Sequence, residues 1–201
     1  MSTSPKSLAE LFLNRVAASG SRPAYRHLVG GKWTTLTWTD AGARVQAIAG
    51  GLLALGLKPQ ERVGILSSTR LDWILSDLGV LCAGGATTTV YPSSTAAECA
   101  FILIDSGTRF AFAENKSQVD KLVAERARLP QLEKVIVING ESGHGGWVIT
   151  LAELEAQGAA FLKKNPSAIK ECVASIKPDH LATLIYTSGT TGNPKGVELT
   201  H

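Results

Sequence analysis

The side chains best suited to chemistry are concentrated near one end of the sequence. His180-Leu181-Ala182-Thr183-Leu184-Ile185-Tyr186 is a strand-forming run, and it leads into Thr187-Ser188-Gly189-Thr190-Thr191-Gly192-Asn193-Pro194-Lys195-Gly196-Val197. Positions 187–196 hold four hydroxyls, three glycines and one lysine. Such a loop suits a polyphosphate. Glycines let backbone N–H groups approach the oxygens closely, hydroxyls donate further hydrogen bonds, and Lys195 offers a mobile positive charge. A Ser/Thr/Gly surface turn has the same composition, so composition alone leaves both readings open.

Two familiar phosphate-loop templates do not fit. Pro194 stands five residues after Gly189, and the sequence has no Gly-Lys-Ser/Thr triplet, so this is not a Walker A loop. Gly189, Gly192 and Gly196 lack the spacing of a dinucleotide fingerprint, and a strand, Val197 to Thr200, is expected to follow instead of a helix. Elsewhere the candidates are weaker. His27, His144, His180 and His201 are isolated, with no acid at metal-ligand spacing, and read as surface or capping residues. No Gly-x-Ser-x-Gly nucleophile elbow occurs. Cys82, Cys99 and Cys172 are far apart and read as small buried hydrophobes in a reducing compartment.

The run from Tyr186 to Val197 resembles the phosphate-binding signature of the adenylate-forming (AMP-binding) superfamily, with Asn193 at its one freely variable position. Acyl-CoA synthetases, peptide-synthetase adenylation domains and luciferases share that signature. Further upstream, Trp38, Gly51-Leu52, Leu55-Gly56-Leu57, Arg62-Val63, Trp73, Ala83-Gly84-Gly85-Ala86, Val90-Tyr91-Pro92-Ser93-Ser94, Asp105-Ser106-Gly107 and Glu114-Asn115 are similar, in order, to the long-chain fatty acyl-CoA synthetase group.

The resemblance implies an AMP-forming ligase that activates a long-chain fatty acid with ATP and passes the acyl group to coenzyme A, with Mg2+ and no tightly bound cofactor. It implies that Thr187, Ser188, Gly189, Thr190, Thr191 and Gly192 hold the β- and γ-phosphates while Lys195 adds charge, and that Tyr186 is a strand anchor. It also implies that residues 1–201 are the first part of a large N-terminal adenylation domain. The adenine pocket, magnesium-binding glutamate, ribose-binding aspartate and the catalytic lysine of a C-terminal domain would then lie beyond His201, so no catalytic residue is assigned and this stretch alone is expected to be inactive. A different acceptor, as in a carboxylic acid reductase or fatty acyl-AMP ligase, and a non-catalytic nucleotide-binding fragment are the alternatives.

The elements that must position this loop follow from hydrophobic spacing. Ser7-Leu8-Ala9-Glu10 has the form of a capping box opening an amphipathic helix. Ala24–Leu28 and Lys32–Trp38 around Gly30-Gly31 read as a hairpin with Trp33 and Trp38 packed beneath it. Thr39 would cap a helix to Leu55, stopped by Gly56. Strands are expected at 62–66, 87–91, 110–113 and 134–138, alternating with helices at 71–82, from the Thr95-Ala96-Ala97-Glu98 capping box to about 106, and near 117–128. Apolar strands alternating with helices predict an α/β fold with a mainly parallel sheet covered on both faces. Residues 141–146 read as a surface loop before a third capping box, Thr150-Leu151-Ala152-Glu153, and the Lys163–Lys177 segment as a solvated connector. Glu198 stands where an apolar strand residue is expected, which bears on how buried that strand is.

Composition narrows the class without choosing the chemistry. Of 201 residues, 44% are hydrophobic, too many for a disordered chain, and the 20 Lys and Arg against 17 Asp and Glu are scattered, so nucleic acid is not an expected partner. No secretory leader is read at residues 1–19, and the uncharged stretch 78–97 contains Gly84-Gly85 and Pro92. The expectation is therefore a cytoplasmic protein with at most peripheral membrane contact.

Overall fold

The computed structural model describes residues 4–187 and 194–201. Helix α1 (Leu8–Ser19) is capped by the Ser7 hydroxyl, which accepts from Glu10 N. The hairpin of β1 (Pro23–Val29) and β2 (Lys32–Thr37) turns through Gly30 and Gly31 at φ +55° and +79°, the positive values that a two-residue hairpin turn needs. Helix α2 (Trp38–Ala54) begins two residues earlier than expected. Its cap is Thr37, in a complete capping box with Asp40, instead of Thr39.

The main sheet comprises β3 (Arg62–Leu66), β4 (Ala86–Val90), β5 (Thr108–Asn115), β6 (Lys134–Asn139), β7 (Val148–Thr150), β8 (Leu181–Thr187) and β9 (Lys195–Thr200). Its order is β7-β6-β5-β3-β4-β8-β9, parallel throughout except for the antiparallel β8–β9 pair. Alternation along the strands divides the core. Val63, Ile65, Phe110, Phe112 and Ile136 face α2, α3 (Leu71–Cys82), α6 (Leu151–Lys164) and α7 (Ala168–Ser175). Leu66, Ala111, Ala113, Val135 and Val137 face α4 (Ala96–Asp105) and α5 (Lys116–Ala124). A sheet covered on both faces explains why its central strands are apolar runs.

Helix α6 lies against α2 at near-backbone distance. A Cβ on Gly158 would stand 1.8 Å from the Ala47 carbonyl oxygen, and one on Gly51 would stand 2.4 Å from the Leu154 oxygen. At the amino ends of the strands, two arginines fasten the loops. Arg109 reaches the Gly56 carbonyl, Glu61 and Glu133, each at 2.6 Å, and Arg62 donates to the Ser106 carbonyl.

Three local expectations change. The connector at 163–177 contains α7, whose Ile169 and Val173 are buried; Lys163 and Lys164 end α6, Lys170 lies on the exposed side of α7 and Lys177 follows it. Strand β7, only three residues long, was not expected. Trp38 is partly buried beside Phe12 and Tyr25, whereas Trp33 is 63% exposed. Position accounts for the difference: Trp33 opposes Leu28 on the outer face of the hairpin, whereas Trp38 opens α2 and meets Tyr25 of the inner face.

Candidate functional site

Strand β8 is fixed on both edges. Thr87, Thr88 and Thr89 of β4 pair with Thr183, Leu184 and Ile185, and the Thr183 hydroxyl donates to the Thr87 carbonyl at 3.0 Å. On the other edge Ile185 opposes Val197, Tyr186 opposes Gly196, and Thr187 opposes Lys195. Among the candidate phosphate contacts, Thr187 and Lys195 are thus brought together as exposed partners at the mouth of the β8–β9 hairpin. Ser188, Gly189, Thr190, Thr191 and Gly192 lie outside the described residues.

Tyr186 anchors the hairpin. Its ring lies over Gly196, where a Cβ would come within 3.0 Å of Cζ, so glycine is what permits the contact. The ring is buried, and its hydroxyl donates to Asp105 Oδ2 at 2.6 Å, at the last residue of α4. Burial, reinforced by the acceptor Asp105, pushes the phenol pKa well up, so the hydroxyl stays protonated and keeps donating. Glu198, on the same side of β9 as Gly196, borders an open polar cleft of about 370 Å3 with Arg62, Asp105 and Tyr186. Its carboxylate sits there without cost because all six residues of β9 are exposed.

Because β3, β4, β5, β6 and β8 run parallel, their carboxyl ends share one edge of the sheet with the Thr187–Lys195 mouth. Helix α3 leaves β3 toward one face, and α4 leaves β4 toward the other. Diverging connections of this kind open a crevice at the carboxyl edge, the usual ligand position in open α/β sheets. A cavity of about 230 Å3 lies there, lined by Ser67, Ser68, Trp73, Thr89, Tyr91 and Pro92 among others.

Behind it Glu114, near the end of β5, accepts from Ser68 N at 2.9 Å and from the Ser68 hydroxyl, and pairs with Arg70. The Ser68 amide, helped by its hydroxyl and Arg70, holds the Glu114 carboxyl below its ordinary range, so it stays ionised and fixes the loop after β3. Sequence reasoning did not group these residues, although Trp73, Tyr91-Pro92 and Glu114 were among the positions carrying the resemblance.

His180, His201 and two of the cysteines fill structural roles. His201 Nδ1 accepts from Leu8 N at 3.3 Å, and the His180 carbonyl accepts from His201 N. Cys82 and Cys99 are buried, and burial raises the Cys82 thiol to about 12, which keeps it unreactive. Among the described residues, no cluster of three His, Cys, Asp or Glu could hold a metal ion, and no helix is long and apolar enough to cross a membrane.

A family model described as "AMP-binding enzyme" matches residues 12–201. A long-chain-fatty-acid–CoA ligase of Mycobacterium tuberculosis, FadD15, is 35% identical over 176 residues, covering 88% of this chain and 28% of its own. The ligase ACSBG2 of Xenopus laevis is 30% identical over 199 residues, 98% of this chain and 26% of its own. The chain therefore spans little more than a quarter of the curated relatives it matches. Among solved structures, the anthranilate CoA ligase AuaEII with anthranoyl-AMP superposes with a TM-score of 0.78 at 21% identity, covering 96% of this chain and 34% of that one. The fatty acyl-adenylate ligase of L. pneumophila, in complex with acyl adenylate and pyrophosphate, gives 0.70 at 23%, with 98% and 30% covered. At these identities the structural likenesses establish the fold.

Proposed function

The chain belongs to the AMP-binding enzyme family, and from that premise we propose that it is the phosphate-loop portion of an AMP-forming long-chain fatty acid–CoA ligase. Residues 1–201 would form the first part of a larger adenylation domain. In the whole enzyme a fatty carboxylate oxygen attacks the α-phosphorus of ATP, the bond to the β-phosphate oxygen breaks, and pyrophosphate leaves. The coenzyme A thiol, giving up its proton, then attacks the acyl carbonyl, and AMP departs.

The residues proposed for this chain act on charge. Thr187, Ser188, Gly189, Thr190, Thr191 and Gly192 would donate to the β- and γ-phosphates, and the Lys195 ammonium would stabilise the negative charge that grows on the leaving pyrophosphate. Mg2+ would share that load when bound, and among the described residues no cluster of three His, Cys, Asp or Glu could hold it.

One observation supports this reading most directly. The glycine- and hydroxyl-rich segment joins two strands whose facing ends are Thr187 and Lys195, on the carboxyl edge of a mainly parallel sheet. Relatives named as long-chain-fatty-acid–CoA ligases, at 30% and 35% identity, favour a fatty substrate and coenzyme A as acceptor. We further propose cytoplasmic action with peripheral membrane contact.

ATP–pyrophosphate exchange in the intact enzyme is the test. Lys195→Ala and Thr191→Val each remove a donor to the polyphosphate, for which a loss of about 1.5–3 kcal/mol, roughly ten- to a hundredfold in rate, is expected. Wild-type exchange in both variants would refute the assignment.

A further inference from the structure

The β1–β2 hairpin presents an outer face that none of the described elements covers. Leu28 is 58% exposed and Trp33 63%, and they oppose each other across the strands on this face; Val29, at the turn and directed to the other side of the hairpin, is 55% exposed. Scattered exposed apolar residues need no explanation, but here three are concentrated around one turn. Arg26 lies on the same face, its guanidinium 5.3 Å from the Trp33 ring centroid. Exposed Lys32 lies beside the turn, and neither it nor Arg26 forms an ion pair among the described residues. From Leu11 to Thr39 the chain contains Arg15, Arg22, Arg26 and Lys32 and not one acidic residue.

We propose that this hairpin is a lipid-surface contact that seats Leu28, Val29 and Trp33 at the headgroup boundary of an anionic bilayer while Arg26 and Lys32 engage its phosphates. Tryptophan favours that depth because its ring is apolar and its N–H keeps a polar partner, and long basic side chains reach outward from it. Charge complementarity selects an anionic surface over a neutral one. Shape argues against a protein partner. A two-stranded tip about 5 Å between strands offers far less than the roughly 800 Å2 per partner that stable interfaces bury. The inference makes specific the peripheral contact proposed above, yet it rests on the hairpin and can fail while the phosphate site stands.

The experiment is co-sedimentation of the intact protein with vesicles of phosphatidylcholine containing about 30% phosphatidylglycerol, compared with pure phosphatidylcholine. Tryptophan emission is followed in the same samples, with brominated lipid as quencher. Binding is expected to the anionic vesicles, weakening with salt, with a blue shift and quenching that disappear in Trp33→Phe. Arg26→Gln and Lys32→Gln should each weaken binding about fivefold, and Leu28→Ser with Trp33→Ser by tenfold or more. Ile104→Ser, at an exposed apolar residue of α4, should leave binding unchanged. Because all these side chains are exposed, melting temperatures should stay near wild type. Equal binding to both vesicle types, unaltered binding in the Leu28/Trp33 variant, or no quenching of Trp33 would overturn the proposal. So would sedimentation showing that Trp33→Ser turns a dimer into a monomer, since a second copy would then occupy the face.

Discussion

Replacing Gly158 with Ala tests the account of how α6 is held. The added Cβ would stand 1.8 Å from the Ala47 oxygen and 2.4 Å from the Gly51 nitrogen, both backbone atoms that cannot rotate away. Close carbon–oxygen contacts in proteins fall at about 3.3 Å, so the two helices must separate by roughly 1.5 Å. Parting them loosens Leu154, which is fully buried. Overpacking of this severity belongs at the upper end of the 1–3 kcal/mol range. Alanine's better helix propensity returns about 1 kcal/mol, leaving a net loss of about 2 kcal/mol. For a chain of this size that lowers Tm by about 4–8 °C. Urea and thermal unfolding followed by circular dichroism would measure it. Gly143→Ala is the control, because nothing lies within 4 Å of its Cβ position and its φ of −180° suits any residue. The sign decides: propensity alone predicts stabilisation, so a Gly158→Ala variant as stable as wild type or more so would refute close helix packing.

Three further outcomes are expected. Tyr186→Phe removes a 2.6 Å hydrogen bond to Asp105 and should cost about 1–3 kcal/mol in denaturant unfolding; an unchanged midpoint would mean the hydroxyl anchors nothing. Thr37→Ala should cost about 1 kcal/mol through loss of the α2 cap, and Thr39→Ala far less; equal losses would contradict the cap assignment. Burial raises the Asp77 carboxyl above its ordinary value of 3.8, so the folded chain binds this proton more tightly than the unfolded one, and stability falls as pH rises through that window. Asp77→Asn should therefore raise Tm at neutral pH, with the gain shrinking as pH drops into the carboxylate range. A gain independent of pH would show that ionisation of Asp77 is not the cause.

Where local chemistry decides structure, the sequence was readable. Strand β3 and helix α3 lie at the expected bounds, and the Thr95 and Thr150 capping boxes close as expected, because a hydroxyl and a carboxylate three residues on satisfy orphan backbone donors without distant help. Thr37 and Thr39 are the same residue type, and only Asp40, three after Thr37, distinguishes them. Helix α7 was masked by Lys170 and the lysines that flank it, although Ile169, Val173 and Ile176 already have helical spacing. Strand order lies beyond local signals, since β4 meets β8 across almost a hundred residues. The same holds at the candidate site. Thr187 and Lys195 stand out by type and spacing, whereas the crevice joining Ser68, Trp73, Tyr91 and Glu114 exists only once β3, β4 and β5 are placed side by side.

The arginine fastenings at the amino ends of the strands make the sheet mechanically lopsided. Arg62 and Arg109 tie three loops into one rim, from Gly56 to Glu133, while the opposite rim is tied more locally, by Glu114 to Ser68 and by Lys121 to Pro92 and Ser94, around open, hydroxyl-rich turns. Amide protons should therefore exchange slowest toward the first rim and faster toward the second, along the same strands. A protein graded in this way can let the loops around its crevice drift and be replaced over evolutionary time while the distant rim carries the burden of keeping the fold.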